Sequence, residues 1–528
     1  MSRSPIDVRP GRAAPAVAGT LAAAAALATT ELAAGLVPGG KSLFVAVGDA
    51  VIEMTPGPVV TFAIETFGSA NRLVLLTSML LGIVVAGGFI GVWASKRSWI
   101  GPVALSVIAV LGMAAGLADP LVRPAAAMIG PIAGAGVGVA VLQRLLRLSS
   151  PQLATSAPAT SPAVDSEPSP TDAPAGSRRA FLGWAATAAG AAAMVAVGGR
   201  LLQQRSVPAS AAGVADLPTP SNPLPEPSAG ASLDVEGLSP LITPTEDFYR
   251  IDTAFTVPRV DADEHTVRFT GMVETPFEIS YAELLDRADT EVDVTLACVS
   301  NEVGGRLVGN ARWLGVPLSE LLDQAGVHDT ADQVVGRAVD GWTAGFPVEA
   351  AYDGRPAILA VGMNGEPLPP KHGFPVRLVV AGLYGYVSDT KWLDEVELTT
   401  FEAFDAYWVP RGWSQLGPIK TQSRIDVPRD GSRVSAGPLA IAGVAWAGER
   451  GIATVELAVD DDWRSAELGD ELSESSWRQW LYRWDAVPGD HVLRVRATDG
   501  NGVTQEAEVA PPQPDGATGY HAIRVTVT

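Results

Sequence analysis

Cysteine is nearly absent from this chain of 528 residues. The single thiol, Cys298, excludes an intramolecular disulfide and any thiolate-rich zinc site or iron–sulfur cluster built within one chain. Histidine is scarce as well: the five residues stand at 265, 328, 372, 491 and 521, none in the apolar first half, which excludes a haem held there by paired histidines. Charged residues make up 18%, against about 25% in an ordinary soluble domain, and the deficit lies at the N-terminal end. Of the 37 Lys+Arg and 58 Asp+Glu, residues 1–205 hold only 14 and 9. The remainder is strongly acidic, and such a surface repels phosphate backbones, so nucleic acid is excluded as a partner.

What the first half does contain is apolar runs. They lie at 15–37, 73–94, 99–118, 121–142 and 180–199, each close to the ~20 residues that cross a ~30 Å hydrocarbon core. A sixth stretch, 43–67, carries Asp49, Glu53 and Glu65 and is broken by Pro56, Gly57 and Pro58, which suits a re-entrant or interfacial segment. Basic residues gather on the cytoplasmic side of membranes. The clusters Arg3/Arg9/Arg12, Lys96/Arg97, Arg144/Arg147 and Arg178/Arg179 all fall on one side only if 43–67 does not cross. The expected organisation is therefore a membrane domain over 1–148 with four spans, a cytoplasmic linker over 149–176, and a fifth span within 177–200 that exports the rest to the extracytoplasmic face of the plasma membrane.

Residues 149–176 are rich in Ser, Pro, Ala and Thr, a composition that buries too little apolar surface to order itself. SRRAFLG (177–183) follows, leading into an Ala/Gly run. It resembles a twin-arginine export signal placed internally, and that route carries folded, cofactor-loaded proteins. Residues 201–240, with Pro at 208, 218, 220, 223, 225 and 227, read as a spacer outside the membrane.

From 241 to 408 short β-rich runs (265–273, 292–298, 333–339, 376–381) alternate with brief amphipathic helices at 281–287 and 318–326, the pattern of an α+β domain. From 409 to 528 the helical signal fades. LAIAGVAWAG, ATVELAVD, QWLYRWDA, HVLRVRATD and HAIRVTVT alternate between Gly, Asp and Pro turns, which predicts a β-sandwich of immunoglobulin-like size. Within the first of these domains Cys298 ends the strand-like VDVTLAC and opens a polar, Gly-rich loop, where a side chain can meet a ligand. His372, Arg377 and Lys391 bracket a second strand and a Gly/Tyr/Ser loop, a donor set suited to a phosphate.

Residues 240–528 resemble the sulfite oxidase family of molybdenum enzymes. The resemblance runs through ITPTEDFYRID (242–252), TLAC (295–298) with Asn301, ARWLGVPLSELL (311–322), HGFPVRLVV with the later TKW (372–392), and the sandwich, which resembles the family's dimerisation domain. It implies a pyranopterin dithiolene molybdenum cofactor (molybdopterin), with Cys298 as the thiolate ligand of the metal. It further implies that Asn301, His372, Arg377, Lys391 and Tyr249 surround the cofactor and that Arg250 is an active-site arginine. The implied chemistry is oxygen-atom transfer: reduction of an S- or N-oxide, or oxidation of a sulfur substrate, small or protein-bound. A separate electron-transfer partner or the quinone pool would complete the cycle, with no haem in this chain, and the sandwich would form a homodimer. In sulfite-oxidising members the cysteine motif continues Asn-Arg-Arg, whereas here Glu302 and Val303 follow Asn301, and a carboxylate there disfavours a dianion. The family's metal-side tyrosine is not matched in AYWVPRGW (406–413), where Tyr407, Arg411 and Trp413 stand nearby. Two other readings fit parts of the chain: a cofactor-less cell-surface binding module on the same fold, and a transporter-like protein with an exported sensor domain, suggested by Asp49, Glu53 and Glu65.

Overall fold

The computed structural model describes residues 12–36, 41–56, 59, 62–63, 66–67, 70–122, 124–149, 175–205, 217–221, 223–254 and 256–528. Arg3, Arg9, the side chain of Arg178 and nearly all of the 149–176 linker lie outside the described residues. The chain divides into two compact units, Met1–Val207 and Pro208–Thr528.

The first unit is helical: α1 (Ala13–Leu36), α2 (Leu43–Met54), α3 (Asn71–Ala94), α4 (Ile100–Ala118), α5 (Pro124–Ser149) and α6 (Ala175–Arg205). Among the described residues, α1, α4, α5, most of α3 and most of α6 are long and apolar enough to cross a membrane. At 12 residues α2 spans about 18 Å, too short to cross alone. Small residues let the helices meet backbone to backbone, which is how packing holds helices together where all surroundings are apolar. A Cβ on Gly19 of α1 would sit 2.0 Å from the Gly87 carbonyl of α3, and one on Gly134 of α5 2.7 Å from the Ala26 carbonyl of α1. Polar groups cluster where α2 begins. Lys41 pairs with Asp49 at 2.6 Å and Asp119 at 2.5 Å, and the buried Glu31 accepts from Ser42 Oγ at 2.6 Å.

The second unit begins earlier than Leu241. Residues 217–221 and 223–239, expected as part of a spacer, lie along the fold as a strap: Ser221 bonds to Asp289, the Leu224 amide donates to Glu291 at 2.8 Å, and Leu233 donates to Gln479 at 2.7 Å. Proline-rich sequence removes backbone donors without preventing the remaining amides from docking on acidic side chains.

The α+β part contains β1 (Thr266–Gly271), β2 (Phe277–Ser280), β3 (Thr290–Ala297), β4 (Val308–Pro317), β5 (Gln333–Ala338), β6 (Thr343–Pro347), β7 (Ala357–Met363), β8 (Glu366–Pro367), β9 (Arg377–Val380) and β10 (Leu393–Thr399). One sheet runs β2-β1-β10-β5-β6, with β1 and β10 parallel; the other runs β3-β4-β7-β8, with β9 on β7. Every residue of β7 is buried, as a central strand covered on both faces requires. The helices close on local signals. Ser280 and Glu283 form a capping box at the start of α7 (Tyr281–Arg287), and Gly326 at φ 70° ends α8 (Leu318–Ala325), whose Leu318, Leu321 and Leu322 face the core.

The C-terminal β-sandwich contains β11 (Gln422–Val427), β12 (Ser432–Val434), β13 (Gly437–Trp446), β14 (Ile452–Val459), β15 (Asp462–Ser465), β16 (Glu467–Leu468), β17 (Arg478–Ala486), β18 (Gly489–Asp499) and β19 (His521–Val527), in two sheets ordered β11-β13-β17-β16 and β12-β19-β18-β14-β15. Its core holds Ile441, Leu457, Trp480, Leu493 and Val525. The sandwich grips the α+β part through buried polar contacts: Trp477 donates its amide to Thr295 Oγ1 and its indole to the Leu241 carbonyl at 2.7 Å.

Candidate functional site

β3 ends at Ala297 opposite Val308 of β4, so Cys298 stands at the first position of the loop joining them. Its amide donates to the Leu307 carbonyl at 2.9 Å and closes the loop's base. Within the loop, Asn301 Oδ1 accepts from the Leu307 amide at 2.8 Å, and Gly305 donates to Glu302 O at 2.8 Å. The sandwich braces the far side. Gly304, at φ +77°, lies so close to the His521 ring that a Cβ there would approach within 2.2 Å, and Arg424 Nη1 donates to Gly305 O at 2.8 Å. Burial raises the Cys298 thiol above its ordinary range, while the backbone and side chain of Ser300 hydrogen-bond to it and favour the thiolate.

The opposite wall is built from residues 370–392. Gly373, at φ +111°, lets the chain pass Lys391 with a virtual Cβ 3.1 Å from the lysine Cα, and Leu378 and Thr390 exchange backbone hydrogen bonds. This ladder brings Arg377 and Asp389 together: Nε donates to Oδ1 at 2.7 Å, and Nη1 donates to His372 O at 3.1 Å. The guanidinium also lies 4.9 Å from the centroid of the Trp313 ring. Lys391 pairs with Asp252 and donates to Ile251 O at 2.9 Å. His372 is buried and donates Nε2 to the Thr245 carbonyl at 2.9 Å; desolvation, with Arg377 beside it, brings its pKa down to about 4. The imidazole is therefore neutral at neutral pH and acts as a donor, not a cation. Burial raises the Tyr249 phenol well above its ordinary range, so it too remains a donor.

A cavity of about 110 Å³ lies between the two walls, lined by Cys298, Ser300, Tyr249, Arg377 and Lys391 together with the carboxylates Asp252, Asp340 and Asp389. The remaining wall is aromatic: Trp342, Tyr386, Trp392, Trp408 and Trp413. The structure thus brings Cys298, Tyr249, Arg377 and Lys391 onto one cavity. His372, Asn301 and Arg250 do not line it. His372 stands behind Arg377, Asn301 shapes the cysteine loop, and Arg250 pairs with Asp252. Sequence reasoning missed Asp252, Asp389, Ser300 and most of the aromatic wall. The signal that could have found the wall is the density of rings in 406–413; for the carboxylates it is their position two residues from an assigned cation in sequence (Asp389) or in the ITPTEDFYRID motif (Asp252).

Residues 254–408 match the oxidoreductase molybdopterin binding domain. Mitochondrial sulfite oxidase of Mus musculus is 31% identical over 323 residues, covering 51% of this chain and 58% of that protein, and the Homo sapiens enzyme is 29% identical over 320 residues with the same coverage. The chain thus spans 58% of the length of these relatives. The uncharacterized oxidoreductase YuiH of Bacillus subtilis is 31% identical over 157 residues, 76% of its length. Among solved structures, the sulfane dehydrogenase SoxCD from Paracoccus pantotrophus aligns at a TM-score of 0.48 and 23% identity, covering 55% of this chain and 81% of that one. The domain match and the sequence relatives define a molybdopterin-binding oxidoreductase. The chain belongs to the sulfite oxidase family.

Proposed function

We propose that this chain is a membrane-anchored molybdenum oxidoreductase that transfers an oxygen atom to or from a substrate outside the cytoplasm. The observation that carries the reading is the placement of Cys298, with its Ser300 donors, on the same cavity as Arg377 and Lys391. A soft sulfur donor faces two cations, the donor set that a thiolate-ligated metal on a phosphate-bearing pterin needs. Among the described residues no three His, Cys, Asp or Glu side chains converge as a metal cage, so a metal at Cys298 would take its remaining donors from the group that brings it.

Cys298 would ligate molybdenum, Arg377 and Lys391 would hold the pterin phosphate, and His372 and Tyr249 would orient the assembly as neutral donors. When bound, such a cofactor supplies two-electron oxygen-atom chemistry. The chain's own contribution is to hold it, to set its charge environment and to exclude bulk water. The apolar helices support an anchor, the SRRAFLG segment a twin-arginine route outward, and the sandwich an immunoglobulin-like module that mediates dimerisation. The chain would exchange electrons with a separate partner or the quinone pool.

Elemental analysis of the detergent-purified chain, made in cells with an intact molybdopterin pathway, tests the reading. It predicts about one molybdenum per chain. Folded, exported protein without molybdenum would overturn it.

A further inference from the structure

The helix that carries the export-like SRRAFLG segment is built into the membrane bundle through a residue of that segment. Along α6, Phe181, Ala185, Ala188, Ala192, Val195 and Gly199 recur at steps of three and four and are buried or half-buried. Such steps place side chains on one face of a helix. Leu182, Trp184, Met194 and Val197, which fall between them, are exposed.

Both ends of this seam are closed. At its start, Phe181 and Ala185 share one core cluster with Ala18 and Ala22 of α1 and Leu142 and Leu145 of α5, and the Arg144 guanidinium lies 5.1 Å from the centroid of the Trp184 ring. Near its end, a Cβ on Gly199 would sit 2.7 Å from the Glu31 carbonyl of α1, a Cβ on Gly35 would sit 2.6 Å from Gly199 O, and Gln203 Nε2 donates to Glu31 O at 3.1 Å. A Cβ on Gly183, Gly190 or Gly198 would meet nothing within 4 Å. Close backbone approach and an interhelical hydrogen bond are what hold helices together in apolar surroundings. Phe181 is thus a residue of the motif and of the bundle core at once. A receptor reads a side chain only while that side chain is free, so reading and docking exclude one another.

We propose that α6 serves twice through one face. Free of the bundle, the Phe181 face is read as the export signal; docked on α1 and α5, it withdraws the signal and keeps α6 as a permanent member of the bundle. The catalytic half is then held to the other helices by packing as well as by the chain. The first role rests on the twin-arginine reading, the second on the packing of α6 alone.

The test uses the full chain with a protease site placed in the 149–176 linker. The chain is cut in isolated membranes, dissolved in mild detergent and purified through its C-terminal fragment. The N-terminal fragment should co-elute in near-equal amount. Gly199→Leu, which forces α6 away from α1, should lose it, whereas Gly198→Leu, beside it in open space, should keep it. Gly199→Leu should still be exported, as judged by protease access from outside the cell, because reading precedes docking. Separation of the wild-type fragments, or their retention in Gly199→Leu, overturns the docking; failure of that variant to be exported overturns the order. A photoreactive phenylalanine analogue at position 181, followed in pulse-labelled cells, should form adducts with the translocase first and adducts within the chain after export. Translocase adducts that persist in the exported protein contradict withdrawal of the signal. Unchanged export and co-elution in cells lacking the twin-arginine system would remove the export reading while leaving the docked helix standing.

Discussion

Arg424 of the β-sandwich donates through Nη1 to the carbonyl of Gly305 in the loop that follows Cys298, at 2.8 Å. The same guanidinium pairs with Asp426 at 2.6 Å and donates to Ser239 Oγ at 2.8 Å. One buried side chain therefore ties three segments together: a strand of the sandwich, the N-terminal strap and the cysteine loop. Arg424→Ala leaves the Gly305 carbonyl and the Asp426 carboxylate without this partner, at a cost of about 2 kcal/mol. The expected result is a lower unfolding midpoint, together with a lower fraction of chains that retain molybdenum on dilution. Arg424→Lys, which keeps the charge but not the fork, should recover only part of both. A variant that loses stability yet retains metal as the wild type does would separate the brace from the site.

His372 makes stability pH-dependent. Its native pKa, near 4, lies below the ordinary value of about 6.5, so between those values the unfolded chain binds more protons than the folded one. Stability contributed by the neutral imidazole is present above pH ~6.5 and is lost as pH falls toward 4. The unfolding midpoint of the His372→Gln variant should therefore fall less steeply over that window than that of the wild type. Equal slopes would mean that the imidazole does not carry the effect.

Cys298 is the only thiol, so alkylation of the intact chain reads it directly. In cofactor-free protein, burial keeps the thiol protonated, and the rate should be slow at pH 7 and climb with pH beyond the ordinary thiol range. In cofactor-loaded protein the sulfur should be protected at every pH. Rapid labelling of the loaded protein at pH 7 contradicts ligation.

The strap gives a fourth expectation. Arg312 holds Asp293 with two parallel bonds at 2.9 and 2.8 Å, and its Nη2 also reaches the Pro225 carbonyl at 3.2 Å. Asp293 is buried on β3, the strand that leads into Cys298. Arg312→Ala strands a buried carboxylate and should cost about 3 kcal/mol; limited proteolysis should then cut between residues 217 and 240, where the wild type resists.

Much of this architecture was legible because local signals agreed with tertiary demands. The helices at 281–287 and 318–326 carry caps and apolar faces, and VDVTLAC lies in a strand that ends at Ala297, one residue before its cysteine. The strap was misread because proline-rich composition resembles a spacer, and its anchors, Asp289, Glu291 and Gln479, lie far away in sequence. The aromatic wall was half visible. Trp408 and Trp413 stand out in 406–413, but Trp342 and Tyr386 join them only through folding. Pairings such as Lys391 with Asp252 span about 140 positions, and periodicity carries no information at that range.

X-ray absorption at the molybdenum edge, comparing the loaded wild type with Cys298→Ser, tests the central claim most directly. The account predicts three sulfur neighbours in the wild type, two from the dithiolene and one from Cys298, falling to two in the variant with a changed Mo(V) magnetic-resonance spectrum. An unchanged sulfur count and spectrum would show that Cys298 does not hold the metal.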